Sequence, residues 1–79
     1  MRILLVEDNP HDADLARRAL GRPGTVARSV HWVPTLTQAR EALAHPEAFD
    51  LVLTDLNLPD GHGLDLIAEV RARRLPVAV

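Results

Sequence analysis

Short apolar runs alternate along this chain with longer stretches in which apolar and polar positions are mixed. The runs at residues 3–6 and 51–54 are almost continuously apolar, which is typical of parallel strands that are covered on both faces. Residues 27–33 form a more mixed run and predict an edge strand. Residues 76–79 begin a further apolar run, so the pattern predicts four strands.

Three amphipathic stretches between these runs predict helices. Asn9 is a preferred N-cap and Pro10 suits the first helical position, while Thr35 and Gln38 fit a capping box. We expect a loop over residues 56–63, which contains Pro59, Gly61 and Gly63, and a third helix that begins near Leu64. The apolar positions predicted to face the core are Ala13, Ala16 and Leu20 in the first helix, Leu36, Ala39 and Leu43 in the second, and Leu64, Ile67 and Ala68 in the third.

The predicted order of elements is β-α-β-α-β-α-β. We expect the second helix to end at His45 and Pro46, because proline cannot continue a helix. Strict alternation of strands and helices predicts an α/β fold, in which a parallel sheet carries helices on both faces. Right-handed crossovers between parallel strands leave few topologies open.

Composition narrows the class of protein. The chain has 79 residues, 47% of them hydrophobic and 25% charged, which predicts one folded domain rather than a disordered segment. A net charge of −2, with arginine as the only strong cation, gives no electrostatic reason to bind nucleic acid or an anionic membrane. The absence of cysteine excludes disulfides and cysteine-based zinc sites. No signal peptide or membrane span is evident, so we expect a cytoplasmic protein.

Acidic residues follow two of the predicted strands. Glu7 and Asp8 come after the first strand, and Asp55 comes after the third. Ligands of open α/β sheets bind beyond the carboxyl ends of the strands, so the three carboxylates converge if these strands are neighbours. A single acid in such a place is more often a turn residue, but three acids at two strand ends favour a site. Clustered carboxylates require a cation or protons, and a small set of oxygen ligands suits Mg²⁺.

Two segments carry a family resemblance. Residues 3–10 read ILLVEDNP and residues 50–64 read DLVLTDLNLPDGHGL; they resemble the opening and the phosphorylation-site region of bacterial two-component response-regulator receiver domains. The resemblance implies a flavodoxin-like parallel sheet with strand order 2-1-3-4-5.

The same resemblance implies a role for each matching residue. Asp55 would accept a phosphoryl group from a histidine kinase or a histidine phosphotransfer protein. Asp8 would bind Mg²⁺ directly and Glu7 through a water molecule, while Asn57 would contribute its backbone carbonyl. This describes a signalling domain that assists its own phosphotransfer and dephosphorylation, and not an enzyme in the usual sense.

The sequence also departs from the family pattern. Gly61 and His62 stand where many receivers have Met-Asp, and the family continues with a Thr or Ser, a Lys, a fifth strand and two more helices. We therefore interpret residues 1–79 as a receiver domain that is incomplete at its C-terminus. Because an open strand edge invites pairing with another chain, we expect low stability or self-association through the edge of the fourth strand.

Two alternative functions stay open at this point. A haloacid-dehalogenase-like phosphohydrolase also uses an Asp nucleophile after a strand, but it requires a second acid where this chain has Asn57. A pseudo-receiver would serve only as a protein-binding surface, which the intact acidic residues argue against. We interpret Trp32 and Phe49 as packing residues, and the histidines, including His62, as surface or capping residues rather than metal ligands.

Overall fold

A computed structural model describes residues 2–21 and 29–73 of the chain. The elements in chain order are β1 (Arg2–Val6), α1 (Pro10–Leu20), β2 (Ser29–Val33), α2 (Leu36–Ala42), a single 3₁₀ turn (Pro46–Ala48), β3 (Leu51–Thr54), β4 (Asn57–Leu58), β5 (Gly61–His62) and α3 (Gly63–Ala72). The predicted alternation is confirmed from β1 to α3. The beginning of the predicted edge strand, at residues 27–28, and the fourth strand, at residues 76–79, lie outside the described residues.

Strand β1 lies in the centre of a three-stranded parallel sheet whose order is β2-β1-β3. Val6, the last residue of β1, is level with Val33 of β2 and with Thr54 of β3. All three strands therefore end at the same edge of the sheet. The predicted convergence of the acids required β1 and β3 to be neighbours, and they are.

The sheet is covered by helices on both faces, as predicted. Leu4 and Val6 of β1 contribute to a buried cluster. The partners of these two residues in that cluster are Val33, Leu36, Ala39, Leu43, Val52, Leu58, Leu66 and Val70, which brings α2 and α3 to this face. Side chains alternate along a strand, so Ile3 and Leu5 point to the opposite face. They and Ala13 of α1 are buried outside this cluster.

The first two helices begin where their capping residues predict. The Asn9 side chain accepts hydrogen bonds from the backbone N–H of His11, at 2.9 Å, and of Asp12, at 3.3 Å. The Thr35 hydroxyl accepts one from the N–H of Gln38 at 3.1 Å. Each bond satisfies a donor that the first turn of a helix leaves without a backbone partner.

Helix α2 ends at Ala42, earlier than predicted. Beyond it the N–H of Ala44 donates to Glu41 and that of His45 donates to Ala42, so the chain tightens into i→i+3 turns. Proline disfavours the helical conformation in the residue before it. Pro46 therefore disfavours helix at His45, and residues 43–45 form turns instead.

The face predicted for α3 is wrong. Leu64, expected in the core, is 61% exposed. The buried residues of the helix are Gly63, Leu66 and Val70. The helix begins at Gly63, which packs directly against the backbone of Asp55, and this contact turns positions 63, 66 and 70 towards the sheet.

A small hairpin occupies the segment that was predicted to be a loop. Strands β4 and β5 are antiparallel, with Asn57 opposite His62. At its turn, the Asp60 carboxylate accepts hydrogen bonds from the N–H of Leu36 at 2.8 Å and from the N–H and hydroxyl of Thr37 at 2.9 and 2.7 Å. These bonds, the hydroxyl of Thr37 foremost, lower the pKa of Asp60 to about 2. The hairpin is therefore fixed to the start of α2.

None of the helices in the described part of the chain is long and apolar enough to cross a membrane.

Candidate metal centre

The backbone at the carboxyl edge of the sheet brings the predicted acids together. Beyond the strand ends, the N–H of Glu7 donates to the carbonyl of Val33 at 3.1 Å, and the N–H of Asp55 donates to the carbonyl of Val6 at 2.9 Å. Both acids thus continue the hydrogen-bond ladder of the sheet by one residue. Their positions follow from strand register and not from loop conformation.

Three carboxylates converge at this edge, and we call Glu7, Asp8 and Asp55 the acidic cluster. One oxygen atom from each side chain lies within 4.8 Å of the others. The ion pairs among the described residues involve other side chains: Arg2 with Asp50, Arg18 with Asp14, Arg40 with Glu69, and His45 with Glu47. The acidic cluster therefore concentrates negative charge that no described arginine neutralises by direct pairing.

Electrostatics within the cluster are visible at Glu7. Partial burial raises the pKa of Glu7, and the nearby carboxylates of Asp55, Asp12 and Asp8 raise it further. A hydrogen bond from the N–H of Asn9 to Glu7 Oε1, at 3.1 Å, opposes this change. The folded chain thus resists the ionisation of Glu7, which is the condition in which a bound cation is favourable.

The turn that carries Glu7 and Asp8 is held from two sides. On the helix side, Asn9 both binds the Glu7 side chain and caps α1. On the sheet side, the indole N–H of Trp32 donates to the carbonyl oxygen of Glu7 at 2.7 Å. The interpretation of Trp32 as a packing residue missed this bond, because it depends on the register that brings β2 beside the end of β1.

Asp55 is held by the first turn of α3. Its carbonyl oxygen accepts a hydrogen bond from the Thr54 hydroxyl at 2.9 Å, and Gly63 lies so close that a Cβ at that position would overlap the same oxygen. The N–H of Gly63 donates to the carbonyl of Leu56 at 2.8 Å. The sequence suggested only that Gly63 shapes the loop; the contact shows that it must lack a side chain.

Asn57 lies in β4, two residues beyond Asp55. Its pairing with His62 fixes the hairpin, while the predicted use of its carbonyl as a metal ligand stays a prediction. His62 itself is exposed and precedes α3 without capping it through its side chain.

The donor set suits a small, hard divalent cation. All three groups of the acidic cluster are carboxylates, and Mg²⁺ prefers oxygen ligands at about 2.0–2.1 Å, one or two of them carboxylates and the remainder water or phosphate. Two oxygens on opposite sides of such an ion are about 4.2 Å apart by this geometry. Neighbouring oxygens on the same ion are only about 3.0 Å apart, so carboxylate oxygens within 4.8 Å of one another must move closer together to bind it directly, while one that binds through water need not.

Comparisons with known proteins agree with this fold. The family model of the response regulator receiver domain matches residues 3–79. The response regulator protein PilR of Pseudomonas aeruginosa is 42% identical over an alignment of 80 residues, which covers 99% of this chain and 17% of PilR. The autoinducer 2 sensor kinase/phosphatase LuxQ of Vibrio vulnificus is 38% identical over 71 residues, which covers 90% of this chain and 8% of LuxQ.

A solved structure has a similar fold. The MaeR response regulator bound to beryllium trifluoride superposes with a TM-score of 0.90 at 32% sequence identity, and the match covers 100% of this chain and 63% of MaeR. The chain thus spans less than a fifth of the length of PilR and of LuxQ, and less than two thirds of the MaeR structure.

Proposed function

Since this chain belongs to the response regulator receiver domain family of two-component systems, we propose that it accepts a phosphoryl group on Asp55 within a phosphorelay. The observation that carries the proposal is the convergence of Glu7, Asp8 and Asp55 at the carboxyl edge of the sheet. A nucleophilic carboxylate next to two further acids suits metal-assisted phosphoryl transfer. A purely structural role would leave this repulsion without benefit to the protein.

The metal in this proposal is Mg²⁺. Asp8 and Asp55 would bind it directly, Glu7 would bind it through water, and the backbone carbonyl of Asn57 would complete the protein ligands. When bound, the ion supplies positive charge next to the oxygens of the transferring phosphoryl group. The protein contributes the fixed positions of the acids, because strand register and the turn bonds described above hold them.

The proposed reaction is a transfer between a phosphohistidine and Asp55. A carboxylate oxygen of Asp55 forms a bond to phosphorus while the phosphorus–nitrogen bond of the donor breaks. The departing imidazole nitrogen keeps the electron pair. The donor would be a histidine kinase or a histidine phosphotransfer protein, and the acyl phosphate is later hydrolysed at the same site.

Similar proteins support this chemistry. MaeR was solved with beryllium trifluoride, a group that has the tetrahedral shape and negative charge of a phosphoryl group when joined to an oxygen. Segments similar to this chain occur in PilR, a response regulator protein, and in LuxQ, a sensor kinase/phosphatase. We propose a cytoplasmic signalling module that assists its own phosphorylation and dephosphorylation, with its output determined by the protein in which it resides.

Intact mass measurement tests the proposal. The chain is incubated with Mg²⁺ and a small-molecule phosphodonor such as acetyl phosphate, and we expect the mass of one phosphoryl group to be gained. The gain should disappear with Asp55→Asn and on removal of divalent cations by a chelator.

Asp65→Asn is the matched control, since Asp65 is an exposed acid in the first turn of α3 and should leave the mass gain unchanged. If Asp55→Asn gains as much mass as the unmodified chain, Asp55 is not the acceptor.

A further inference from the structure

The geometry points to Trp32 as a positioning residue of the acidic cluster, acting through the carbonyl oxygen of Glu7. This inference rests on the proposed function, because it concerns metal binding at that cluster. Trp32 lies on β2, level with Leu5 of β1. Its indole N–H reaches beyond the end of β1 and donates to Glu7 at 2.7 Å.

Glu7 is held by β2 at both ends of its backbone. The N–H of Glu7 donates to the carbonyl of Val33 at 3.1 Å. The carbonyl of Glu7 accepts from the indole N–H of Trp32, the residue that precedes Val33 on β2. The first bond belongs to the ladder of the sheet and would form with most residue types on β2. The second is a side-chain bond that requires a long donor at position 32.

The indole bond matters for Asp8 because of peptide planarity. The carbonyl oxygen of Glu7 lies in the same planar unit as the N–H and Cα of Asp8, so fixing that oxygen also fixes where the Asp8 side chain originates. On the other side of Asp8, Asn9 is held by its hydrogen bonds to α1. Both neighbours of Asp8 are therefore held by hydrogen bonds, and the indole of Trp32 provides the bond on the sheet side.

Among the described residues of β2, tryptophan is the only type that combines a large apolar ring with a donor at its far edge. Phenylalanine at this position keeps most of the ring and removes the donor. The Trp32→Phe substitution thus separates positioning from packing. It leaves the carbonyl of Glu7 without the indole partner, so the Glu7–Asp8 peptide gains rotational freedom.

The first measurement is Mg²⁺ affinity by isothermal titration calorimetry on the full chain. We expect Trp32→Phe to weaken binding by about 3- to 10-fold, the range that the loss of one hydrogen bond supports. The matched control is Phe49→Leu, which trims a half-buried aromatic ring packed against the core; Phe49 precedes β3, whereas Asp55 follows that strand. It should lower thermal stability and leave the affinity for Mg²⁺ unchanged.

The second measurement does not depend on a variant that folds. Trp32 is the only tryptophan of the chain, so its indole N–H gives a single signal in a proton–nitrogen spectrum. We expect this signal to shift during a Mg²⁺ titration with the same midpoint as the calorimetric binding curve. An indole signal that does not move while Mg²⁺ binds overturns the inference.

The outcomes separate this inference from the proposed function. If the unmodified chain binds Mg²⁺ and Trp32→Phe binds it equally well, Trp32 is only a packing residue and the proposed function stands. If the unmodified chain does not bind Mg²⁺, the proposed metal site fails and the positioning role fails with it.

Discussion

A glycine without any chemistry of its own controls where the proposed phosphoryl acceptor lies. The backbone of Gly63 packs against the carbonyl of Asp55, while its N–H donates to the carbonyl of Leu56. The nearest obstacle is backbone, which cannot rotate away as a flexible side chain would. Any side chain at position 63 must therefore displace α3 or the peptide of Asp55.

We predict that Gly63→Ala lowers the free energy of unfolding by about 1–3 kcal/mol, as overpacking does in tightly packed regions. Mg²⁺ affinity should fall as well, because the displaced backbone carries Asp55. Urea unfolding and calorimetric titration measure the two effects.

Gly21→Ala is the control, because Gly21 has an ordinary negative φ, and a Cβ there would lie 3.2 Å from the carbonyl oxygen of Arg17, a tight contact that a shift of a few tenths of an ångström relieves. Its effect should stay within about 1 kcal/mol. Equal effects at the two glycines would contradict the proposed contact.

Single residues differ in how far sequence alone predicts them. Glu7, Asp8 and Asp55 follow apolar runs, so their place at the strand ends could be predicted from the pattern, and the structure brings them together. The indole bond of Trp32 could not, because it joins residues 25 positions apart through strand register. Gly63 is intermediate: the sequence marks a turn but not the backbone that it must approach.

At the scale of elements, the third helix shows the limit of periodicity. Apolar residues occur on more than one side of α3, so positions 64, 67 and 68 formed one plausible face and positions 63, 66 and 70 formed another. The contact at Gly63 decides between them, since it fixes how the helix enters the sheet. The hairpin was missed for a related reason: strands of two residues are too short to carry an alternating pattern.

The corrected face of α3 leads to a prediction with a matched pair of leucines. Leu66 is 1% exposed and Leu64 is 61% exposed. We expect Leu66→Ala to cost about 2–5 kcal/mol through lost burial and the remaining cavity, and Leu64→Ala to cost less than about 0.5 kcal/mol.

Thermal or urea unfolding of both variants provides the measurement. A loss of 2–5 kcal/mol is a large part of the stability of a small domain, so the Leu66 variant should unfold under milder conditions. If Leu64→Ala proved to be the more destabilising change, the face predicted from the sequence, which contains Leu64, would be the buried one.

The whole molecule combines an apolar sheet interior with a charged edge that works against folding. The raised pKa of Glu7 means that the folded chain binds its proton more tightly than the unfolded chain does. Stability from this group is therefore present below the ordinary value of 4.5 and is lost as the pH rises through the raised pKa. At neutral pH the acidic cluster is a cost to the fold, which a bound cation would remove.

This cost predicts opposite effects of one substitution with and without metal. In buffer that contains a chelator, Asp8→Asn should raise the free energy of unfolding by on the order of 1 kcal/mol. The reason is that it removes a negative charge that lies a few ångströms from the carboxylates of Glu7 and Asp55 in a well-hydrated site. In Mg²⁺ at ten times its dissociation constant, the unmodified chain should gain about 1.4 kcal/mol. The variant should gain little, so its advantage disappears. Thermal unfolding in both buffers measures these changes.

The control is Asp14→Asn, which removes an exposed acid paired with Arg18 on α1. Its effect on the free energy of unfolding should be the same in both buffers. If Mg²⁺ stabilised the Asp8 variant as strongly as the unmodified chain, Asp8 would not be a ligand, and the repulsion at this edge would need a different explanation.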